Sequence, residues 1–254
     1  MRDLDGRVAV VTGAAGGIGL GLAEAFLDRG MHVMLADIAA EPLRAQERRL
    51  LGEGGSVASV VVDVSDPVQV DGLAAAVLSR FGDVHVVCNN AGVIRAGRTW
   101  ELALADWRAV LDVNLYGVVH GIRTFVPLLL ASGHEGHIVN MASMAAVMPV
   151  PGIAPYNVSK HGVLALSETL HDELQGAGAA IGVTVVMPGR VPTRLGSPAD
   201  APGPLPAPAP GELAPRAVGE LVVEAVRVGR LHLFTHPERV GDAVARFARI
   251  TDGA

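Results

Sequence analysis

Along the chain, short runs of consecutive apolar, mostly β-branched residues alternate with longer Ala/Leu-rich stretches whose apolar positions recur at helical spacing. The runs are RVAVVTG (7–13), MHVMLAD (31–37), SVASVVVDV (56–64), VHVVCNN (84–90), HIVNMAS (137–143) and GVTVVMPG (182–189). Between them the spacing predicts helices over 17–29 and 40–51, from Asp66, over 106–131 and from Tyr156, with a last helix, strand and helix toward the C-terminus. Strands that are apolar throughout are buried on both faces, and strands separated by helices pair in parallel. The pattern therefore predicts one α/β domain over 1–254, a doubly wound seven-stranded parallel sheet with helices on both faces.

One segment breaks this rhythm. Seven of the sixteen prolines fall in 198–215, within SPADAPGPLPAPAPGELAP, which excludes helix and central strand. A linker needs a domain on each side, and only about forty residues follow. The segment 190–215 is therefore expected to be a mobile loop over a substrate pocket.

Composition narrows the function classes. With 254 residues, half of them hydrophobic and 18% charged, the chain can bury a large core. Its formal charge is -6 and no stretch concentrates Lys or Arg, so nucleic acid is not an expected partner. The single cysteine, Cys88, lies in an apolar run and reads as a small buried hydrophobe rather than a reactive thiol. The N-terminus MRDLDGRVAVV lacks the features of a signal peptide, and the longest uncharged span, 138–159, holds three prolines and several polar residues. A cytoplasmic protein without a membrane segment is expected.

After the first strand comes TGAAGGIGLG, in which Gly13, Gly17 and Gly19 stand at a strand-to-helix turn. Glycines there let the backbone approach a pyrophosphate, and a helix N-terminus offers free N–H groups and a positive dipole end. Asp37, at the end of the second strand, follows Gly19 by eighteen residues, close to the spacing of an acid that binds the adenosine ribose. A carboxylate there repels a 2'-phosphate, and the nearest basic residue after it is Arg44, well into the next helix. NAD is favoured over NADP.

Only two tyrosines occur, and one, Tyr156, precedes Lys160 by four residues in YNVSKHGVLAL. On a helix the two share one face. A phenol with a pKa near 10 is ionised only about one part in a thousand at pH 7, a deficit of about 4 kcal/mol for a base. A nearby ammonium lowers such a pKa by about 1–3 units. Spacing alone leaves two readings open, a solvent-facing pair or an acid/base device.

Taken in order, these motifs resemble the short-chain dehydrogenase/reductase family over nearly the whole chain. TGAAGGIG, with Gly13, Ala15, Gly17, Ile18 and Gly19, is similar to the family's cofactor loop on its NAD(P)-binding Rossmann-type fold. Asp37 and Ile38 follow, and Asp63 and Val64 resemble the adenine contact. Asn89, Asn90, Ala91 and Gly92 match the motif after the fourth strand, and Pro188, Gly189, Val191 and Thr193 match the segment that contacts the nicotinamide. Asn114, Ser143, Tyr156 and Lys160 resemble the catalytic tetrad, with the family's thirteen-residue interval between Ser143 and Tyr156.

The resemblance implies an NAD-dependent oxidoreductase that interconverts a secondary alcohol and a ketone. Tyr156 would exchange a proton with the substrate oxygen while hydride moves to or from the nicotinamide. Lys160 would lower the tyrosine pKa and hold the nicotinamide ribose, Ser143 would steady the developing charge, and Asn114 would position a water beside Lys160. Without the other three, Asn114 reads as a helix asparagine bonding its own turn. A dimer or tetramer through the long helix and the Tyr156 helix is implied as well.

Met141, Met144, Met148, Val150 and Ile153 suggest a fairly apolar small-molecule alcohol or ketone, although core packing explains some of them equally well. His134 with His137, and His232 with His236, lack further ligands, so no metal is expected. Tyr116 reads as packing or a hydrogen bond in the long helix, and Arg190 as a surface or subunit contact in preference to a site for an acidic substrate. The rival readings are an NADP-dependent carbonyl reductase, a non-redox enzyme on the same fold, and a nucleotide-binding regulator.

Overall fold

The structure is a computed structural model that describes residues 1–196 and 206–252. The six apolar runs form β1 (Val8–Thr12), β2 (His32–Asp37), β3 (Val57–Val61), β4 (Val86–Asn89), β5 (Gly136–Met141) and β6 (Ile181–Met187), and β7 (His232–Phe234) completes the sheet. All pairings are parallel, in the order β3-β2-β1-β4-β5-β6-β7. The winding direction reverses between β1 and β4, so a crevice opens at the C-terminal ends of those two strands.

The helices are α1 (Gly17–Leu27), α2 (Ala40–Gly52), α3 (Pro67–Phe81), α4 (Leu104–Leu111), α5 (Gly117–Ser132), α6 (Ala154–Gly176), α7 (Pro215–Val228) and α8 (Val240–Thr251). They cover both faces, which is why β1 is buried at every position and apolar from Val8 to Val11. Ala9 and Val11 enter a core with Leu22, Phe26 and Val223, while Val8 and Val10 enter the opposite one with Leu73, Phe125 and Leu174. Helices α1 and α7 meet backbone to backbone, because a Cβ on Gly21 would run into Pro215 O and one on Gly219 into Gly21 O.

Two boundaries differ from the sequence reading for local reasons. The helix predicted over 106–131 is three pieces: α4, a π-helical turn Asp112–Tyr116, and α5. A π-turn inserts a residue without changing composition, so periodicity does not report it, and such turns concentrate at functional sites. By length and hydropathy the continuous stretch Leu104–Ser132 would suffice to cross a membrane; here Val118, Phe125 and Leu129 are buried in the protein core. Pro215, counted with the proline-rich segment, is the first residue of α7, where a missing N–H costs nothing. Residues 206–214 form neither helix nor strand. The mobile loop expected over 190–215 lies, for 197–205, outside the described residues.

Candidate active site

The crevice is a cleft of about 980 Å³. Its floor is the glycine loop between β1 and α1. Gly13 has φ +67°, and a Cβ there would lie 2.9 Å from both the Ala91 Cα and Asn90 Nδ2, so this loop and the segment after β4 pack too closely for a side chain on Gly13. Thr12 closes the joint: its Oγ1 accepts from the N–H groups of Asn90 (2.9 Å) and Ala91 (3.1 Å), while Asn90 Nδ2 donates to Thr12 O at 2.8 Å. Ala15, Ile18 and Gly19 line the cleft, and Gly17 lies against Thr193 from the opposite wall.

At one end stands Asp37. Its Oδ2 accepts from Ala15 N–H at 3.0 Å and its Oδ1 from Ala39 N–H at 2.9 Å, which fixes the carboxylate beside the glycine loop. Ile38, Asp63 and Val64 line the same end. Asp63 Oδ1 accepts from the N–H (2.9 Å) and hydroxyl (2.7 Å) of Ser65, holding the turn after β3.

At the other end Ser143, Tyr156 and Lys160 converge. Ser143 lies two residues past β5, and its Oγ accepts from Ala145 N–H at 3.1 Å, so its own proton is left to donate. Helix α6 starts at Ala154, with Pro155 in its first turn, which places Tyr156 and Lys160 on the face that packs inward. Lys160 Nζ donates to Met141 O at 2.7 Å and lies 5.6 Å from the centroid of the Tyr156 ring.

Both groups are buried, and burial disfavours charge on each. It pushes the Tyr156 pKa up from its usual value, with a hydrogen bond from Ser143 pulling the other way. It lowers Lys160 from 10.5 to about 8. In the protein alone, burial rather than Lys160 sets the direction of the tyrosine shift.

Asn114 and Asn89, expected at the site, sit behind the cleft wall. Asn114, fully buried in the π-turn, accepts from Val93 N–H at 2.7 Å and donates to Val93 O at 2.9 Å and to Ser159 Oγ at 3.2 Å. Gly92 separates it from the lysine: a Cβ there would stand 3.4 Å from Asn114 Oδ1 and 3.8 Å from Lys160 Nζ. Asn89 Nδ2 donates to Asn140 Oδ1 at 2.9 Å, and Asn140 in turn donates to Ser167 Oγ at 3.0 Å, joining β4, β5 and α6. Pro188, Gly189, Val191 and Thr193 form the far wall, with Pro188 O accepting from Met144 N–H at 2.9 Å.

Sequence reasoning gave no role to Asn157, Val158 or Ser159 inside YNVSK, and the structure shows what the two polar ones do. Asn157 accepts from Val150 N–H (3.2 Å) and donates to Val150 O (2.7 Å), closing the loop before α6. Ser159 Oγ donates to Tyr156 O at 2.7 Å. The only sequence signal for either was a polar residue at the start of a buried helix.

Other candidates resolve simply. Cys88 is buried, and burial pushes its thiol pKa up. His137 bonds Thr184 Oγ1 at 2.8 Å within the sheet, where burial lowers its pKa to about 3, and His232 pairs with Glu168 at 2.8 Å. Among the described residues no group of three or more His, Cys, Asp or Glu is placed to hold a metal. Tyr116, read as packing, is 52% exposed with its ring tilted against His120. Arg190 pairs with Glu212 at 3.2 Å on the surface. Of the residues expected to make an apolar pocket, Met141 lines the cleft and Ile153 packs near Tyr156, whereas Met144 and Met148 join the core and Val150 is exposed.

The cleft thus joins a backbone cradle and a fixed carboxylate at one end to a hydroxyl, a phenol and an ammonium at the other. The short chain dehydrogenase family profile matches residues 7–202. A 1-deoxy-11-beta-hydroxypentalenate dehydrogenase from Streptomyces avermitilis is 42% identical over 192 residues, covering 75% of this chain and 70% of the relative. A short chain dehydrogenase/reductase from Burkholderia phymatum, solved in complex with NAD, superposes with a TM-score of 0.92 at 35% identity, over 99% of this chain and 96% of the other. An alcohol dehydrogenase from the archaeon Thermococcus sibiricus, complexed with 5-hydroxy-NADP, gives 0.80 at 29% identity, over 90% of this chain and 95% of the other.

Proposed function

The chain belongs to the short-chain dehydrogenase family of oxidoreductases, and from that premise we propose that it interconverts a secondary alcohol and a ketone with NAD, using Tyr156 as general acid/base. The observation that carries this reading is the convergence of Ser143, Tyr156 and Lys160 at one end of a cleft whose other end holds Asp37 on the glycine loop.

NAD fits the residues present. The cradle is built from positions where a Cβ would collide with backbone, as at Gly13 and Gly19. Both Asp37 oxygens are anchored to backbone N–H groups, so the carboxylate is fixed to accept from ribose hydroxyls and opposes a 2'-phosphate. The nicotinamide, when bound, supplies or accepts the hydride.

In this reading the substrate oxygen lies between Ser143 and Tyr156. Ser143 turns its hydroxyl proton from Tyr156 to that oxygen. Tyr156 gives a proton to it in reduction and takes one in oxidation. Lys160 is held against Met141 O, where its positive charge favours the phenolate once a second cation is present to offset burial. Val93, packed near Tyr156, lines the cleft, as does Leu195, which suits a fairly apolar substrate. The exposed Tyr116, Leu130 and Val158, on or beside α5 and on α6, support self-association through those helices.

The test is a spectrophotometric screen of secondary alcohols with NAD and ketones with NADH, repeated with the phosphorylated cofactors. Turnover that follows nicotinamide absorbance, faster with NAD, is the expected result. Substrate turnover without any change in that absorbance would remove the redox reading.

A further inference from the structure

We infer that His236, a residue outside the cleft, is a positioning residue for the cofactor wall formed by Pro188 and Gly189, and that it acts through its Nδ1 atom. This rests on the cofactor reading above and goes beyond it.

The backbone ladder between β6 and β7 ends at the pair Met187 and Phe234. Gly189 lies just past that end, and its N–H is taken over by side chains. It donates to His236 Nδ1 at 3.1 Å and to Thr235 Oγ1 at 3.3 Å. Thr235 Oγ1 and His236 Nδ1 are themselves 2.8 Å apart. Because Nδ1 accepts a backbone N–H, it carries no proton, and the ring hydrogen sits on Nε2. Thr235 Oγ1, which also accepts from Gly189 N–H, packs beside the same nitrogen.

Shape reinforces the contact. A Cβ on Gly189 would lie 2.6 Å from both Cγ and Nδ1 of His236, so the imidazole rests directly on the glycine backbone. His236 is 6% exposed, and its buried Nε2 has no hydrogen-bond partner among the described residues. Its polar work on the protein therefore passes through Nδ1.

The position of this contact gives it functional weight. On the opposite side, Pro188 O accepts from Met144 N–H, the residue after Ser143. The Pro188–Gly189 turn is thus held between the Ser143 loop on β5 and His236 after β7. Pro188, Gly189 and Val191 line the cleft on the wall read as contacting the nicotinamide. Loosening the His236 side lets this wall move relative to Ser143 and Tyr156.

Three substitutions separate the atoms. In His236→Asn, Oδ1 falls near the position of Nδ1 and can still accept from Gly189. In His236→Gln, the polar atoms fall near Nε2. His236→Phe keeps the ring and removes both. The readouts are NADH affinity by fluorescence titration, kcat and KM for the cofactor, and thermal unfolding as a control for folding.

The expected result is NADH affinity within about threefold of wild type for His236→Asn, and at least about tenfold weaker for His236→Gln and His236→Phe, the loss of one buried hydrogen bond. The same ordering should appear in KM for the cofactor. If His236→Phe does not fold, the Asn and Gln variants still decide the matter. Equal affinities in all folded variants, or better retention in Gln than in Asn, would overturn the inference while leaving wild-type cofactor binding intact. A wild-type protein that binds no nicotinamide cofactor would instead overturn the underlying reading, and the inference with it.

Discussion

The ammonium of Lys160 is bonded to the Met141 carbonyl at 2.7 Å and stands 5.6 Å from the Tyr156 ring centroid, with both side chains almost wholly inside the protein. Burial penalises phenolate and ammonium alike, so neither is poised for acid/base work by the protein alone. On the proposed mechanism, the cation that shifts this balance toward phenolate is the oxidised nicotinamide. Removing the phenol should therefore separate cofactor binding from chemistry. Tyr156→Phe is expected to keep NADH affinity within a few-fold while kcat falls by about 10²–10⁴. Stopped-flow hydride transfer with saturating cofactor measures it, and near-normal transfer would exclude Tyr156 as the proton carrier.

The buried lysine makes a second, thermodynamic prediction. Its folded pKa of about 8 lies below its ordinary 10.5, so between those values the unfolded chain binds more protons than the folded one. Stability should then rise with pH across this window, and the full penalty, about 3 kcal/mol, applies below it. Urea unfolding of wild type and Lys160→Met from pH 7.5 to 10.5 tests the sign. Wild type should gain on the variant as pH rises; parallel curves would show that the lysine is not destabilised by burial.

Asp37 has two tasks that a substitution can distinguish. It fixes the glycine loop through Ala15 N–H and presents charge at the end of the cleft proposed to take the ribose. Asp37→Ser retains a group able to accept from a backbone N–H but removes the charge. The ratio of NAD to NADP affinity should drop at least about tenfold in this variant, mostly by gain of NADP binding, because a fixed like charge opposing a phosphate costs several kcal/mol. Titration with both reduced cofactors measures the ratio, and an unchanged ratio would mean that Asp37 does not select the cofactor.

Much of this architecture was legible in the sequence because two-sided burial leaves an unmistakable mark. Val8 to Val11 are apolar in succession only because each face of β1 has its own helix layer. The glycine loop and Asp37 were legible because their spacing is set by local geometry, a strand end and the helix start that follows it, whereas spacing left the Tyr156/Lys160 pair open and only the family resemblance singled it out together with Ser143. What was hidden depends on contacts between distant segments. The π-turn at Asp112–Tyr116 leaves no compositional trace, the pairing of Asn157 with Val150 spans a loop of unremarkable sequence, and the hold of His236 on Gly189 joins residues 47 positions apart. Expecting Met144 and Met148 at the pocket failed for a related reason. An apolar side chain after a strand can face either a ligand or the core, and the short 3₁₀ turn Met144–Ala146 directs the first into the core.

Asn114 is the residue whose structural and chemical roles diverge most. In the protein it holds both backbone groups of Val93 and reaches Ser159, which is bonded in turn to Tyr156 O. This chain ties the segment after β4 to the first turn of α6, and so sets where the tyrosine stands relative to the cleft. Asn114→Ala strands the partly buried N–H and carbonyl of Val93, each costing up to about 1–3 kcal/mol. A fall in melting temperature of about 2–4 °C per kcal/mol is expected for a chain of this size. Ser159→Ala should cost less, since it leaves the Val93 pair intact. Because the two side chains share a hydrogen bond, the double variant should be less destabilised than the sum of the singles, with a coupling of at least about 0.5 kcal/mol. Additive losses would show that the asparagine braces only the β4 segment, and any loss of turnover in Asn114→Ala would then have to come from the lysine side of Gly92 rather than from a displaced tyrosine.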